Sequence, residues 1–245
     1  MNTNLTIRKQ VTSLLPIVLL VFVPLAIFMA VLALQDSFSV EILLEDVAFL
    51  GGVPFYYGLL SSSGALMWIA TASICLFTFA IVRQQQPTAG GFLLAAGLIS
   101  LYFGVDDMFL IHDGLLFETL DVPEPLIFGA YAVVLGLFVF RFWGTIRKSE
   151  WLLLLLALGL FAFSLAVDNF QTLLPGLYAG IREALGTPVE IVDSVQTAAP
   201  QSISNPRFIM EDGAKFVGIV AWLLYFGRYS FQTLRQSFGK SAATE

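Results

Sequence analysis

The sequence predicts an all-α fold: a polytopic transmembrane helix bundle of about six spans with both termini in the cytoplasm. Three observations predict it. The 245 residues are 58% hydrophobic and only 12% charged, whereas soluble domains carry about 25% charged residues. Six largely apolar stretches reach the length of roughly 20 residues that a helix needs to cross hydrocarbon. Lysine and arginine, finally, segregate to alternate connections, as the retention of basic residues in the cytoplasm requires.

The spans fall at about residues 11–34, 65–82, 91–110, 126–143, 151–173 and 208–229, within a single transmembrane domain covering 1–245. The first follows Arg8 and Lys9 as a signal sequence would. Its apolar length exceeds the ~7–15 residues of a signal core and no small-residue cleavage pattern follows, so it reads as a retained anchor. The segments QQQPTAGG (84–91), DVPEP (121–125) and GTIRKSE (144–150) carry turn and helix-stop chemistry between later spans. The longest connections are 35–64 and 174–207; within the second, 186–206 is polar and Pro-bounded and reads as an outer loop. The run PFYYGLL (54–60), with Trp68, reads as an interfacial aromatic belt, and Trp143 and Trp151 read as its counterpart on the inner side.

The sixth span is interrupted by charge. Only residues 216–227 are free of charge before Arg228, too few to cross. Counting back about 20 residues carries the helix to Phe208 and brings Glu211, Asp212 and Lys215 into the membrane. The same count places Asp168 in the last turns of the fifth span, and Asp106 and Asp107 in the last turns of the third.

Nine basic residues (Arg8, Lys9, Arg83, Arg141, Arg147, Lys148, Arg228, Arg235 and Lys240) fall at the termini and in the second and fourth connections or the helix ends beside them, and two, Arg182 and Arg207, fall on the other side. That bias agrees with an even number of spans and predicts a multi-pass protein of the cell membrane, the inner one in a cell with two. Of 18 acids, only Glu150 and Glu245 share the basic side. A net charge of −6 excludes a nucleic-acid partner, which needs a basic face. The lipid bilayer is the predicted partner, and a homo-oligomer or a larger membrane complex is compatible with it. Cys75 is the one cysteine, so no intramolecular disulfide forms.

A charged side chain facing lipid costs about 2.5–3.5 kcal/mol or more, so the intramembrane charges should face the bundle interior or a water-filled cavity. The third and fifth spans run outward and the sixth inward, which brings Asp106, Asp107, Asp168, Glu211 and Asp212 to one level in the outer half of the bilayer. His112, the sole histidine, and Asp113 follow directly. Helical spacing puts Asp106 and Asp113, seven apart, on one face. Ser164, Asp168, Gln171 and Thr172 form a polar stripe, and Glu211 and Lys215 are an i, i+4 ion pair in the favourable order. Five buried carboxylates against one lysine and a histidinium should hold a cation or share protons.

The predicted ligand set is Asp106, Asp107, His112, Asp113, Asp168, Glu211 and Asp212, suited to a divalent cation of the Mg, Mn, Fe or Ca type. One histidine excludes sites that need two or three from the same chain, including the di-iron bundle with its paired Glu-x-x-His. No catalytic residue follows from the sequence. The alternative reading is a structural polar network kept for specificity.

Two resemblances follow from these residues. MEDGAKFVGIVAW (210–222) is similar over about five residues to the retinal-binding helix of microbial rhodopsins, which would make Lys215 a Schiff base and Glu211 its counterion. Those proteins have seven spans and an outside N-terminus, so retinal is not expected here. GVDDMFLIHDGL with MEDGAKFVGIVAWLLYF resembles an uncharacterised group of bacterial multi-pass proteins that carry an acidic pair and a His-acid pair on one helix and an acidic pair on the last. That resemblance implies a shared site and carries no activity. The expected role is binding or moving a cation or protons at an outward-facing site. The alternatives are a metal-dependent enzyme acting on a lipid or other amphiphile at the outer leaflet, and a non-catalytic subunit of a membrane complex.

Overall fold

The computed structural model describes residues 7–34, 50–54, 56–173 and 206–242. Every element among them is helical: α1 (Ile7–Leu34), α2 (Leu59–Val82), α3 (Pro87–Phe109), a nine-residue π-helix (Ile111–Thr119), α4 (Glu124–Ile146), α5 (Trp151–Leu173) and α6 (Pro206–Ala242). The expected outer loop 186–206 falls almost wholly outside the described residues. The chain divides into two compact units, Met1–Tyr57 and Gly58–Glu245. In the first, α1 is an apolar helix that runs through Pro16 and Pro24. The second holds the remaining helices.

Among the described residues, α2, α3 and α4 are long and apolar enough to cross a membrane, and Val18–Val31 and Trp151–Val167 are shorter apolar runs. Large side chains such as Leu66, Phe77, Leu137 and Phe140 are exposed on their outer faces. Bare apolar surface of this extent is compatible with lipid around the helices.

Helix α6 is the hub, packed on α2 and α5, while α2 also packs along α3. Lipid offers no hydrophobic drive for helix association, so close contact depends on small residues. Along α3, Gly97 and Gly104 recur at a seven-residue interval: a Cβ at Gly97 would stand 2.8 Å from Leu76, and one at Gly104 would stand 2.7 Å from Ile69 and 3.1 Å from the Trp68 Cβ. Trp68 is therefore buried rather than interfacial, with its ring 5.6 Å from that of Trp222 and 5.2 Å from that of Phe103. The predicted belt fails at this position because α2 turns Trp68 toward α6. The Trp222 indole N–H donates to Ser100 Oγ at 2.9 Å, satisfying two buried polar groups together.

Helix α6 spans 37 residues, about 55 Å at 1.5 Å per residue, well beyond the predicted 208–229. Its extra turns are held by polar contacts to other helices. Gln86 Nε2 donates to the Thr233 carbonyl and to Ser237 Oγ, and Arg228 forms a two-point pair with Glu150, which also accepts from Gln232.

Candidate functional site

Helix α3 ends abruptly. Leu110 adopts a left-handed conformation (φ 50°, ψ 45°) and its N–H donates to the Asp106 carbonyl, a conformation that costs a non-glycine residue roughly 1–2 kcal/mol. Asp121, also left-handed, follows the far end of the π-helix. The expected continuation of one helical face from Asp106 to Asp113 therefore does not occur. The chain turns at Leu110, and the start of the π-helix holds His112 against Asp106.

Asp106 is 2% exposed and held by three donors. Its Oδ1 accepts the His112 backbone N–H at 2.8 Å, and its Oδ2 lies 2.9 Å from His112 Nδ1 and accepts the Tyr131 hydroxyl at 3.0 Å. The other ring nitrogen, Nε2, is 3.2 Å from Asp113. Hydrogen bonds to Asp106 and then Asp113 raise the His112 pKa to about 9 against the opposing effect of burial. His112 is thus an imidazolium at neutral pH, with both ring nitrogens donating. Asp113 is held below the usual carboxylate range, chiefly by the same hydrogen bond. Tyr131 in turn contacts the Tyr102 hydroxyl at 3.2 Å.

Asp107, beside it, reaches toward α6. It accepts from Lys215 Nζ at 2.8 Å, joining α3 to α6. Lys215 thus pairs across the bundle, with an acid 108 residues away; Glu211, its expected partner, stands one turn earlier on the same helix. Glu211 lines the same space.

These groups surround one cavity of about 570 Å³. Asp106, Asp107, His112, Asp113, Glu211, Asp212 and Lys215 all line it, so the residues singled out on the third and sixth spans come together. Asp168 lies on α5, with its side chain outside the described residues; Ser164, one turn before it, lines the cavity. One carboxylate oxygen each of Asp106 and Asp107 and a ring nitrogen of His112 lie within 4.8 Å of one another, close enough to share a metal ion. Trp68, Phe103, Phe128 and Phe161 form apolar walls.

Helix α4 contributes residues that the sequence reading did not select. Glu124, Phe128, Tyr131 and Leu135 line the cavity at i, i+4, i+7 and i+11, one helical face. The signal that could have found them is Tyr131, a hydroxyl in an otherwise apolar helix on the same face as the acid at its start.

A model for a domain of unknown function, DUF8692, matches residues 14–229. The chain belongs to the DUF8692 family. Among curated proteins and solved structures, no match was found. The family match runs through α1 to α6 and takes in every residue of the DUF8692 cavity named above.

Proposed function

We propose that the chain is a six-span membrane protein with both termini in the cytoplasm, whose acidic cavity opens toward the outer side and binds a cation in exchange for protons. The supporting observation is the charge around the cavity. Among the described residues, Asp106, Asp107, Asp113, Glu124, Glu211 and Asp212 line it against Lys215 and His112 as the only cations, and three of its groups already stand at ligand spacing. In the arrangement described, the Lys215 ammonium and the His112 imidazolium occupy the places that an entering cation would take beside Asp107 and Asp106. A divalent cation that engages these carboxylates must displace both, and a ligating imidazole must first lose its proton. Binding and proton release are then one event.

The apolar walls support a second reading, in which the bound metal acts on an amphiphile whose tail lies against Phe103 and Phe128. Metal analysis of the purified protein combined with ion flux in liposomes separates the two. Pumping or exchange of protons against a cation gradient supports the first. Stoichiometric metal without flux, together with metal-dependent turnover of an added amphiphile, supports the second, and neither metal nor flux would refute both.

A further inference from the structure

At the end of the bundle opposite the acidic cavity lies a second cavity, of about 710 Å³, whose lining among the described residues is largely polar, with two basic side chains and no acid. Its walls are the start of α3 (Pro87, Thr88, Ala89), the end of α4 with Arg141 and Thr145, Lys148 in the following turn, and α6 with Gln232 and Gln236. We propose that this cavity binds a phosphoryl group, carried by an anionic lipid headgroup or by a soluble phosphate ester.

Three features favour that chemistry. First, the local charge is unbalanced. Glu150 is committed to Arg228 and Gln232, and among the described residues neither Arg141 nor Lys148 forms an ion pair. Arg141 instead lies 5.1 Å from the Phe142 ring centroid. Second, the N-terminus of α3 is open. Its N-cap, Gln86, makes no capping bond, because the Gln86 amide is drawn to Thr233 and Ser237 on α6. The first-turn N–H groups of Thr88 and Ala89 have no intrahelical acceptor and border the cavity with the positive end of the helix dipole. Third, the donors differ in kind: a guanidinium fork, an ammonium, hydroxyls and main-chain N–H groups together match a tetrahedral oxyanion with several acceptor oxygens. The exposed indoles of Trp143 and Trp151 flank this end, at the depth where aromatic side chains meet headgroups, and basic pockets between membrane helices are suited to anionic lipid heads.

The test uses the full chain in a neutral detergent and follows tryptophan fluorescence and thermal unfolding. It is titrated with dioctanoyl phosphatidic acid, dioctanoyl phosphatidylcholine and glycerol 3-phosphate. Saturable binding of phosphatidic acid, weakened about fivefold for each cation removed in R141Q and K148Q, is the expected result. Binding of phosphatidic acid alone identifies a lipid as the source, and equal binding of glycerol 3-phosphate identifies a soluble ester. T88D should abolish binding while leaving the fold intact, since an acid in a first helical turn is favourable to the helix. R83Q/R235Q, the same loss of charge outside the cavity, should change affinity less than twofold. Equal weakening in R83Q/R235Q and R141Q/K148Q, unchanged binding in T88D, or no saturable binding of either phosphate compound would overturn the proposal.

Discussion

Asp106 holds His112 at two points, its Oδ1 accepting the backbone N–H at 2.8 Å and its Oδ2 lying 2.9 Å from Nδ1. One carboxylate thereby sets both the direction of the chain after α3 and the orientation of its only imidazole. The left-handed Leu110 and the π-helix are the backbone consequence, and the cavity wall is the functional one. Asp106→Asn keeps the shape but loses the charge. It should destabilise the protein by about 3 kcal/mol, as expected when one partner of a buried ion pair is removed. Thermal unfolding in detergent measures this, and a change below about 1 kcal/mol would show that the carboxylate does not anchor the turn.

The His112 pKa, raised to about 9 from an ordinary value of 6.5, means that the folded state binds the proton more tightly than the unfolded one. The associated stability is complete below about pH 6.5, declines as pH rises, and is lost above about 9. Asp113, held low, contributes in the opposite sense, and its share disappears only in acid. Unfolding temperature measured from pH 6 to 10 should therefore fall across this window in the wild type and flatten in H112Q.

Lys215 reaches Asp107 with an ammonium that is partly exposed, while the Asp107 side chain is 8% exposed. The coupling between them should lie between that of a surface pair and that of a buried one, about 1–2 kcal/mol. A double-mutant cycle of D107N and K215Q measures it, and the double variant should be more stable than the sum of the single losses implies.

Gly104→Val tests the seam between α2 and α3. The Cβ alone would meet Ile69 at 2.7 Å and Trp68 at 3.1 Å, so the larger side chain must push the helices apart, at a cost of about 1–3 kcal/mol. Gly136→Val, where a Cβ meets nothing within 4 Å, should be nearly neutral by the same unfolding assay.

That the acids would meet was legible in the sequence, because counting residues along each expected span set them at a common level. That argument placed Asp106, Asp107, Glu211 and Asp212 beside one cavity, though they lie more than a hundred residues apart. Helical periodicity misled where the helix stopped. Nothing in the composition of MFLIHDG marks Leu110 as left-handed, since leucine is a good helix former and the turn is set by the contacts of Asp106 with His112. The contact of Lys215 with Asp107 was not legible for a related reason: i, i+4 spacing describes an isolated helix, and Asp107 meets the ammonium only once α3 and α6 have packed. Tyr131 went unselected because an aromatic residue in a membrane helix reads as packing until its hydroxyl is seen to meet a carboxylate. The length of α6 was hidden by its polar last turns, which are helical because Glu150, Gln86 and neighbouring groups provide partners.

The most direct test of cation binding is calorimetric titration of the purified protein with Mg²⁺, Mn²⁺, Fe²⁺ and Ca²⁺ at pH 7.5, repeated in buffers of different ionisation enthalpy. The account predicts saturable binding of at least one of them, with release of about one proton per cation, and loss of binding in folded D107N. No saturable heat with any of the four, or unchanged affinity in D107N, would contradict it.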